Sequence, residues 1–238
     1  MKIMSFNTQH CLNYIEDKID FNIIADVIKK ADVDFAGLNE MRGKGADEEY
    51  QEQTLILSEL TEMKEYYFAK AIDVDGENPY GNGFLSKIPI ISAENIPIPL
   101  PEVRQYEGYY EPRCILKVKL QGGITVLVTH FGLNPDEQKN AVDEVISNLE
   151  EEKCVLMGDF NMQPDNELLI PIRARMKDAA DLFERNLLSF PSDKPDRKID
   201  YIFVSPDIEV LSADIPPIVA SDHRPHIALI NPDVAQKS

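Results

Sequence analysis

Apolar residues alternate with polar ones, or run together, in ten short stretches, and these patterns predict ten β-strands. The predicted strands cover residues 2–6, 34–38, 66–71, 83–86, 88–96, 114–120, 124–129, 154–157, 199–204 and 226–230. A helical period predicts three helices. They are marked by the apolar face of Phe21, Ile24, Val27, Ile28 and Ala31, by residues 55–60, and by Ala141, Val142, Val145, Ile146 and Leu149. Pro135 opens the third helix, because its fixed φ suits a first helical turn.

The order of these elements predicts an α/β fold. Helices interrupt many strands, and several strands are joined by short turns such as Gln121-Gly122-Gly123. Two packed β-sheets with helices outside satisfy this order best. No Gly/Ser-rich linker divides the chain, so residues 1–238 are predicted to form a single domain. The irregular stretch 97–112 is too long for a plain connector and is predicted to be a lid or rim loop.

The charge balance restricts the classes of partner. The chain has 24 Lys and Arg against 42 Asp and Glu, a formal net charge of −18, with 43% hydrophobic residues. That much apolar side chain argues against disorder. The acidity argues against a structural nucleic-acid binder, because a basic surface normally draws a protein to a polyanion. It argues less against an enzyme acting on phosphates, where metal ions supply positive charge locally.

The cysteines and the first residues bear on the compartment. Cys11, Cys114 and Cys154 are widely spaced and odd in number, so neither a disulfide framework nor a structural zinc site is expected. The first ten residues, MKIMSFNTQH, lack both the apolar core of a signal peptide and the apolar length of a membrane span. A cytoplasmic location without stable membrane insertion is therefore predicted, and no obligate protein partner is inferred.

Polar residues of ligand type stand repeatedly where the predicted strands end or begin. They are Asn7, Asn39-Glu40, His130, the segment Gly158-Asp159-Phe160-Asn161, Asp200, and Ser221-Asp222-His223. Each one alone is typical of a turn, a helix cap or a surface side chain. Together they predict a single active site, because strand ends on one rim of a sheet can converge and such loops carry catalytic groups.

These residue types suit metal-assisted chemistry on phosphate. Carboxylate and amide oxygens are ligands for Mg²⁺, and His and Asn can hold the non-bridging oxygens of a phosphate. An Asp beside a His suits a base and the residue that orients it. Phosphoryl transfer depends mainly on positioning and charge stabilisation, which these side chains supply.

Six motifs occur in order over nearly the whole chain: MSFNTQH, LNEM, THFGLN, MGDFN, RKIDYIFVS and SDHRP. In this order they resemble the endonuclease/exonuclease/phosphatase superfamily, to which pancreatic deoxyribonuclease belongs. The resemblance implies a four-layered α/β sandwich, with two packed mixed β-sheets flanked by helices. It also implies hydrolysis of phosphoester bonds with a divalent metal, Mg²⁺ as a rule, for which Mn²⁺ is expected to substitute.

The resemblance assigns metal-binding and water-orienting roles. Glu40 matches the principal metal carboxylate, Asn7 the Asn beside it, and Asp222 a further acidic group near the metal. Asp159 and Asn161 match the pair that orients the attacking water and holds the phosphate.

The resemblance also assigns two histidines. His130 matches the His that stabilises the phosphate, and His223 matches the His that pairs with Asp200. Which group accepts the proton of the attacking water stays open between Asp159 and the Asp200–His223 pair.

Three further residues are candidates for substrate binding. Arg113 can clamp a phosphate with two hydrogen bonds, although it equally suits a surface ion pair. It lies where small members of the superfamily often carry Arg. Tyr80 and Asn82 lie in PYGNGFLSK, where the superfamily places residues beside the substrate, although Tyr-Gly-Asn-Gly is also a good turn.

The leading prediction is thus a Mg²⁺-dependent phosphoesterase for a small or lipid-derived phosphorylated substrate. The alternative is an endo- or exonuclease cleaving DNA or RNA, which the net charge disfavours because no basic stripe is evident to follow a duplex. A non-catalytic binding module on the same fold predicts the loss of a central residue, whereas Glu40, Asp159 and His223 are all present.

Overall fold

The computed structural model describes residues 1–183 and 187–233 and orders them into strands and helices. The strands are β1 (Lys2–Asn7), β2 (Leu12–Asn13), β3 (Lys18–Ile19), β4 (Phe35–Arg42), β5 (Glu65–Val74), β6 (Asn78–Ser86), β7 (Ile90–Ile98), β8 (Arg113–Leu120), β9 (Thr125–His130), β10 (Cys154–Asp159), β11 (Lys177–Asp178), β12 (Asp200–Val204), β13 (Glu209–Asp214) and β14 (His226–Asn231). The α-helices are α1 (Phe21–Ala31), α2 (Gln53–Thr61), α3 (Pro135–Asn148) and α4 (Ile170–Arg173). Short 3-10 helices cover Gln9–Cys11, Glu167–Leu169 and Ala180–Leu182.

The strands form two large mixed sheets. The first sheet has the order β13-β14-β1-β4-β6-β5, and the second has the order β11-β12-β10-β9-β8-β7. Each contains a parallel pair, β1 with β4 and β9 with β10, while the other neighbours are antiparallel. β2 and β3 pair with each other outside these sheets.

The two sheets pack face to face, and helices cover both outer faces. Ile3, Phe35, Phe84, Met157 and Ile202 belong to the core between the sheets. α1 and α2 bury their apolar residues against the outer face of the first sheet, and α3 and α4 do so against the second. The predicted four-layered α/β sandwich is therefore confirmed.

Side-chain alternation in β1 explains how a polar residue reaches the space between the sheets. Ile3 faces the second sheet, whereas Met4 and Phe6 pack with α1 on the outer side. Since successive side chains of a strand point to opposite faces, Asn7 returns to the side of Ile3. The last residue of β1 thus projects toward the second sheet at the end of the sandwich.

Gly37 in β4 permits the close approach of the two sheets. A Cβ atom at this position would lie 2.6 Å from Met157 Sδ and 2.8 Å from Val128 Cγ2. Both contacts are far shorter than van der Waals distance, so a larger residue would have to displace the Met157 and Val128 side chains of the second sheet.

The predicted start of the third helix is confirmed and has a local cause. Asn134 and Glu137 form a reciprocal capping box at the start of α3, with Pro135 in the first turn. α1 begins in a similar way, because the Asp20 carboxylate accepts hydrogen bonds from the backbone N–H groups of Asn22 and Ile23.

Several features differ from the sequence expectations. The sequence does not predict the short elements β2, β3, β11 and α4. It does not predict β13 either, because this edge strand is mostly exposed and has no apolar run. β7 continues to Ile98, so the irregular stretch begins at residue 99. The end of this irregular stretch contacts α3, where the Tyr110 hydroxyl donates a 2.7 Å hydrogen bond to Asp136.

Among the described residues, no helix has the length and apolar character needed to cross a membrane.

Candidate active site

Three of the predicted site residues are the last residues of their strands. Asn7 ends β1, His130 ends β9 and Asp159 ends β10. The parallel register sets His130 beside Asp159, and antiparallel β12 sets Asp200 on its other side. Asn7 Nδ2 donates a 3.1 Å hydrogen bond to Asp159 Oδ2, which joins the two sheets at this rim. The site therefore lies at one end of the sandwich, where the sheets meet.

Glu40 lies inside β4 rather than at a strand end, which corrects the sequence expectation. The β4–β6 register shifts between Leu38 and Met41, so Asn39 and Glu40 together oppose a single residue of β6. Glu40 also has a left-handed φ of 60°. This bulge re-aims the carboxylate, whose Oε1 accepts a 3.0 Å hydrogen bond from Asn7 Nδ2.

Tyr80 and His10 lie beside the Glu40 carboxylate. The Tyr80 hydroxyl hydrogen-bonds it, and burial together with the Glu40 charge raises the pKa of this tyrosine. His10 Nδ1 lies 4.0 Å from Glu40 Oε2, and burial lowers the pKa of this histidine. The structure thus places Tyr80 in the site as predicted, and it adds His10, the last residue of the MSFNTQH motif, to which no role was assigned.

Asp159 is the centre of the site. Its buried Oδ2 lies 3.1 Å from Asn7 Nδ2 and 3.5 Å from Nε2 of both His130 and His223. Its Oδ1 accepts a 2.9 Å hydrogen bond from the backbone N–H of Asn161. Burial raises the pKa of Asp159 to about 7, against the opposing effect of the His223 charge. One carboxylate oxygen thus faces three side chains from both sheets.

Gly158 and Phe160 explain the local sequence around this aspartate. Gly158 has a φ of 144°, and a Cβ atom there would lie 1.8 Å from the backbone oxygen of Thr129. Any other residue would therefore separate β10 from β9. Phe160 is fully buried, and its ring centroid lies 4.5 Å from that of Phe131. The apolar anchor holds the turn that presents its two polar neighbours.

His223 and Asp200 form the pair that the resemblance implied. His223 Nδ1 lies 2.8 Å from Asp200 Oδ2, and both side chains are buried. Burial lowers the pKa of His223, but the Asp200 and Asp159 carboxylates outweigh it and raise the pKa to about 10. The Phe190 ring packs 4.7 Å from the imidazole, and Ser189 Oγ accepts hydrogen bonds from the backbone of β12. Neither supporting residue carries a recognisable sequence signal.

His130 contacts both a predicted phosphate ligand and Arg113. Its Nε2 lies 3.3 Å from Asn161 Nδ2, which also donates a 3.0 Å hydrogen bond to the Phe131 carbonyl. Its Nδ1 lies 2.9 Å from Arg113 Nη1. Burial, followed by the Arg113 charge, lowers the pKa of His130 well below its ordinary value. Arg113 therefore belongs to the site and contacts the Nδ1 side of the His130 ring.

Asp222 faces the same space as Glu40. Burial raises the pKa of Asp222, the His223 charge opposes this, and the Glu40 charge adds to it. Glu40 and Asp222 otherwise receive hydrogen bonds from neutral groups such as Asn7 and Ser221. A bound cation would relieve the repulsion between these two carboxylates, and Mg²⁺ prefers oxygen atoms as ligands.

A second set of metal-binding residue types includes the Asp200–His223 pair. Asp159, Asp200 and His223 each offer one ligand atom, and these atoms lie within 4.8 Å of one another. The raised pKa of His223, to about 10, means that an imidazolium between two acids already balances part of their charge. The Glu40–Asp222 side therefore fits a metal ion better.

Asn39 and Asn82 tie the two sheets together beneath the site. The Asn39 amide donates to Asn82 Oδ1 at 2.8 Å and to the Thr129 carbonyl at 2.9 Å. Its Oδ1 accepts a 3.0 Å hydrogen bond from the backbone N–H of Asp159. Asn82 Nδ2 donates at 3.0 Å to the Cys114 carbonyl. Asn82, predicted to bind substrate, is buried with its amide engaged on both sides.

We expect Asn39→Leu to destabilise the fold. Leucine is similar in size to asparagine but forms no hydrogen bonds, so the Asp159 N–H and the Thr129 carbonyl would be buried without the partners that Asn39 supplies. Each unsatisfied group costs about 1–3 kcal/mol. A domain of this size loses about 2–4 °C in melting temperature per kcal/mol, so calorimetry should show a clear drop. Asn22→Leu, at an exposed position of α1, is the control. Equal melting temperatures for the two variants would contradict the bridging role.

Most of the predicted residues converge. Those whose side chains meet at the rim are Asn7, Glu40, Tyr80, His130, Asp159, Asn161, Asp200, Asp222 and His223. Arg113 and Asn82 stand behind them, one against His130 and the other between the sheets.

The geometry can be set beside known proteins. A family model described as "Endonuclease/Exonuclease/phosphatase family" matches residues 4–223. A search of curated protein sequences returned no significant match.

Solved structures share the fold at low sequence identity. An endonuclease/exonuclease/phosphatase from Beutenbergia cavernae is 22% identical with a TM-score of 0.76, over 99% of this chain and 73% of that one. A mannosyl-6-phosphatase from Bacteroides thetaiotaomicron is 15% identical with a TM-score of 0.75, over 97% of this chain and 99% of that one. ANGEL2, a 2′,3′-cyclic phosphatase, is 16% identical with a TM-score of 0.70, over 96% and 94%.

Proposed function

The chain belongs to the endonuclease/exonuclease/phosphatase family, and from that premise we propose that it is a divalent-metal-dependent hydrolase of phosphoester bonds. The observation that carries this proposal is the convergence of Asn7, His130 and His223 on one buried oxygen of Asp159. Hydrogen-bond donors and a carboxylate so arranged suit in-line attack of water on phosphorus. Residues 1–238 would act as one such domain.

The metal would be held on the Glu40 side of the site. Glu40 and Asp222 supply carboxylate oxygens, and Asn7 orients Glu40 through its amide. Mg²⁺, or Mn²⁺ in its place, supplies positive charge for the phosphate oxygens and the leaving group when bound.

The proton of the attacking water is assigned to Asp159. His223 lies between two carboxylates, Asp200 on Nδ1 and Asp159 on Nε2, and this keeps its imidazole protonated. A protonated imidazole cannot accept a further proton, whereas burial raises the pKa of Asp159 to about 7, near the value that suits a general base. His223 then donates a hydrogen bond and balances the charge of the aspartate.

The phosphate oxygens would be held from the opposite side by neutral donors. His130 and Asn161 present nitrogen atoms 3.3 Å apart at the edge of the site. The Asn161 backbone is in the left-handed region, with φ 51°, which brings its side chain back toward β9. Donors fixed in this way need no reorganisation when charge develops on the phosphate.

A small or lipid-derived phosphorylated compound is the proposed substrate class. Two of the structural neighbours are described as a mannosyl-6-phosphatase and a 2′,3′-cyclic phosphatase. The net charge of −18 would lower the affinity of the protein for a long polyanion such as DNA or RNA. Nuclease activity is therefore the alternative to hydrolysis of a small phosphoester in a substrate screen.

The proposal is tested by assaying the purified protein against a chromogenic phosphomonoester and diester, mannose 6-phosphate, adenosine 2′,3′-cyclic phosphate, inositol phosphates, sphingomyelin, RNA and plasmid DNA. Each assay is run with Mg²⁺, with Mn²⁺ and with EDTA. We expect hydrolysis of at least one small or lipid phosphoester, its loss in EDTA and its return on adding Mg²⁺. Glu40→Gln is the blank, and Glu94→Gln, at an exposed position of β7, is the matched control.

The possible results separate the hypotheses. Plasmid nicking that is absent from the Glu40→Gln blank, with every small phosphoester intact, would establish the nuclease alternative instead. Hydrolysis that persists unchanged in EDTA would contradict the metal requirement. Failure to hydrolyse any phosphoester would overturn the proposed function.

A further inference from the structure

Arg113, the first residue of β8, is held between two groups. Its Nη1 lies 2.9 Å from His130 Nδ1 and 3.0 Å from Glu111 Oε1. Glu111 is fixed in turn, because its backbone N–H donates a 3.1 Å hydrogen bond to Glu137 on α3. The arginine and its carboxylate partner are both largely buried, with side chains 14% and 22% exposed. The guanidinium therefore has a defined place behind the histidine.

The direction of the Arg113–His130 hydrogen bond follows from the chemistry of the groups. A guanidinium has only donors, so a nitrogen that pairs with it must be an acceptor. His130 Nδ1 is then without a proton, and the single proton of a neutral imidazole must be on Nε2. We infer that Arg113 is a positioning residue that fixes His130 in the tautomer with the proton on Nε2.

The neighbours on the other side of the ring act in opposite directions. Asn161 Nδ2 is a donor 3.3 Å from His130 Nε2, whereas Asp159 Oδ2 is an acceptor 3.5 Å from the same nitrogen. The ring could accept hydrogen bonds from both Arg113 and Asn161 only if neither of its nitrogens carried a proton. The Arg113 bond is shorter and charge-assisted, and such bonds are roughly twice as strong as neutral ones. Arg113 therefore outweighs Asn161, and it makes the shorter of the two contacts that favour the proton on Nε2, since Asp159 lies 3.5 Å from that nitrogen.

The consequence is a pair of converging donors. One hydrogen of Asn161 Nδ2 is used by the Phe131 carbonyl at 3.0 Å, and the second is left toward His130. With its proton on Nε2, His130 presents an N–H at the same place. Two N–H groups directed at one point suit an anionic oxygen, and on the proposed function this is a non-bridging oxygen of the phosphate.

This inference changes the role expected for Arg113 from the sequence. A phosphate clamp needs a guanidinium free to turn toward the substrate. Here Nη1 donates a hydrogen bond to His130 and forms an ion pair with Glu111, and Nε is buried without a hydrogen-bond partner among the described residues. Arg113 acts on the phosphate through His130. The tautomer itself is a property of the resting protein and does not depend on the substrate.

The test is long-range ¹H–¹⁵N NMR of the imidazole nitrogens, recorded on the full chain in Mg²⁺ without substrate. The chain has 4 histidines, and His130→Gln identifies the signals of His130. We expect a protonated Nε2 and a bare Nδ1. In Arg113→Met this pattern should change to a tautomer mixture or to the Nδ1–H form. Arg104→Met removes a guanidinium from the neighbouring loop and should leave it unchanged. Arg113→Lys keeps a charged donor and should restore the Nε2–H form at least partly.

Each result bears on the inference. A protonated Nδ1 in the unsubstituted protein would overturn it, as would an unchanged His130 pattern in a folded Arg113→Met variant. Near-ultraviolet circular dichroism establishes whether that variant is folded, and if it is not, Arg113→Gln takes its place. If phosphate binding weakens in Arg113→Met while the tautomer stays the same, Arg113 is a direct clamp. Because the readout needs no turnover, an inactive protein with the expected tautomer would refute only the proposed function.

Discussion

Replacing Asp159 with Asn is expected to lower kcat by about 10²- to 10⁴-fold, the usual contribution of a positioned general base. The asparagine has almost the same size and can still accept the hydrogen bond from the Asn161 N–H, so the turn should persist. It cannot take a proton from water, and it removes one of the two carboxylates that face His223. The loss should therefore appear in kcat more than in KM.

The measurement is a steady-state titration of whichever phosphoester the screen identifies, with circular dichroism as the test of folding. Asp143→Asn, at an exposed position of α3, is the matched control and should keep full activity. A folded Asp159→Asn variant that retains more than about a tenth of kcat would contradict the role of proton acceptor, since the lower limit of a general base is about 10².

Asp200→Asn is expected to reduce kcat by about 10²- to 10³-fold, the usual cost of losing one preorganised electrostatic contact at the reacting groups. The Asp200 carboxylate accepts from His223 Nδ1 at 2.8 Å and contributes to the raised pKa of that histidine, about 10. An amide at this position carries no charge, so His223 would lose its proton more readily and balance the charge of Asp159 less. It also leaves the imidazolium without one of its two counter-charges.

Two measurements separate this role from a structural one. NMR titration should show that the pKa of His223, about 10 in the unsubstituted protein, is lower in the Asp200→Asn variant. The double variant Asp200→Asn/His223→Gln should be no slower than the slower single variant, because residues that act as a unit are not additive. If the fold-losses in kcat of the two single variants multiply in the double variant, the two residues act independently.

The sequence predicted the members of the site better than their geometry. Asn7, Asp159 and His223 carry motif signals, and their convergence follows from strand ends that share a rim. The bulge at Glu40 could not be predicted, because LNEM contains no glycine that would mark a left-handed residue. Its φ of 60° is imposed by pairing with β6, about forty residues later in the chain.

The buried amides show the same limit. Asn39 stands in a motif beside Glu40, yet nothing nearby in sequence indicates that it bonds Asn82, Thr129 and Asp159. Arg113 could be placed at a strand start, but whether it faced the substrate or His130 depended on the register of β8 with β9. Contacts of this kind are decided by tertiary packing, which a single sequence does not encode in its local pattern.

The position of β14 has a consequence for how the protein becomes active. β14 pairs with β1 on one side and β13 on the other, so the first sheet is completed by a strand far along the chain. His223 and Asp222 precede that strand, whereas Asn7 ends β1. A nascent chain on the ribosome would carry Asn7 and Glu40 long before the residues that complete their site. On the proposed function, hydrolysis should begin only after the residues through β14 have left the exit tunnel, so a partly made chain would not hydrolyse phosphoesters.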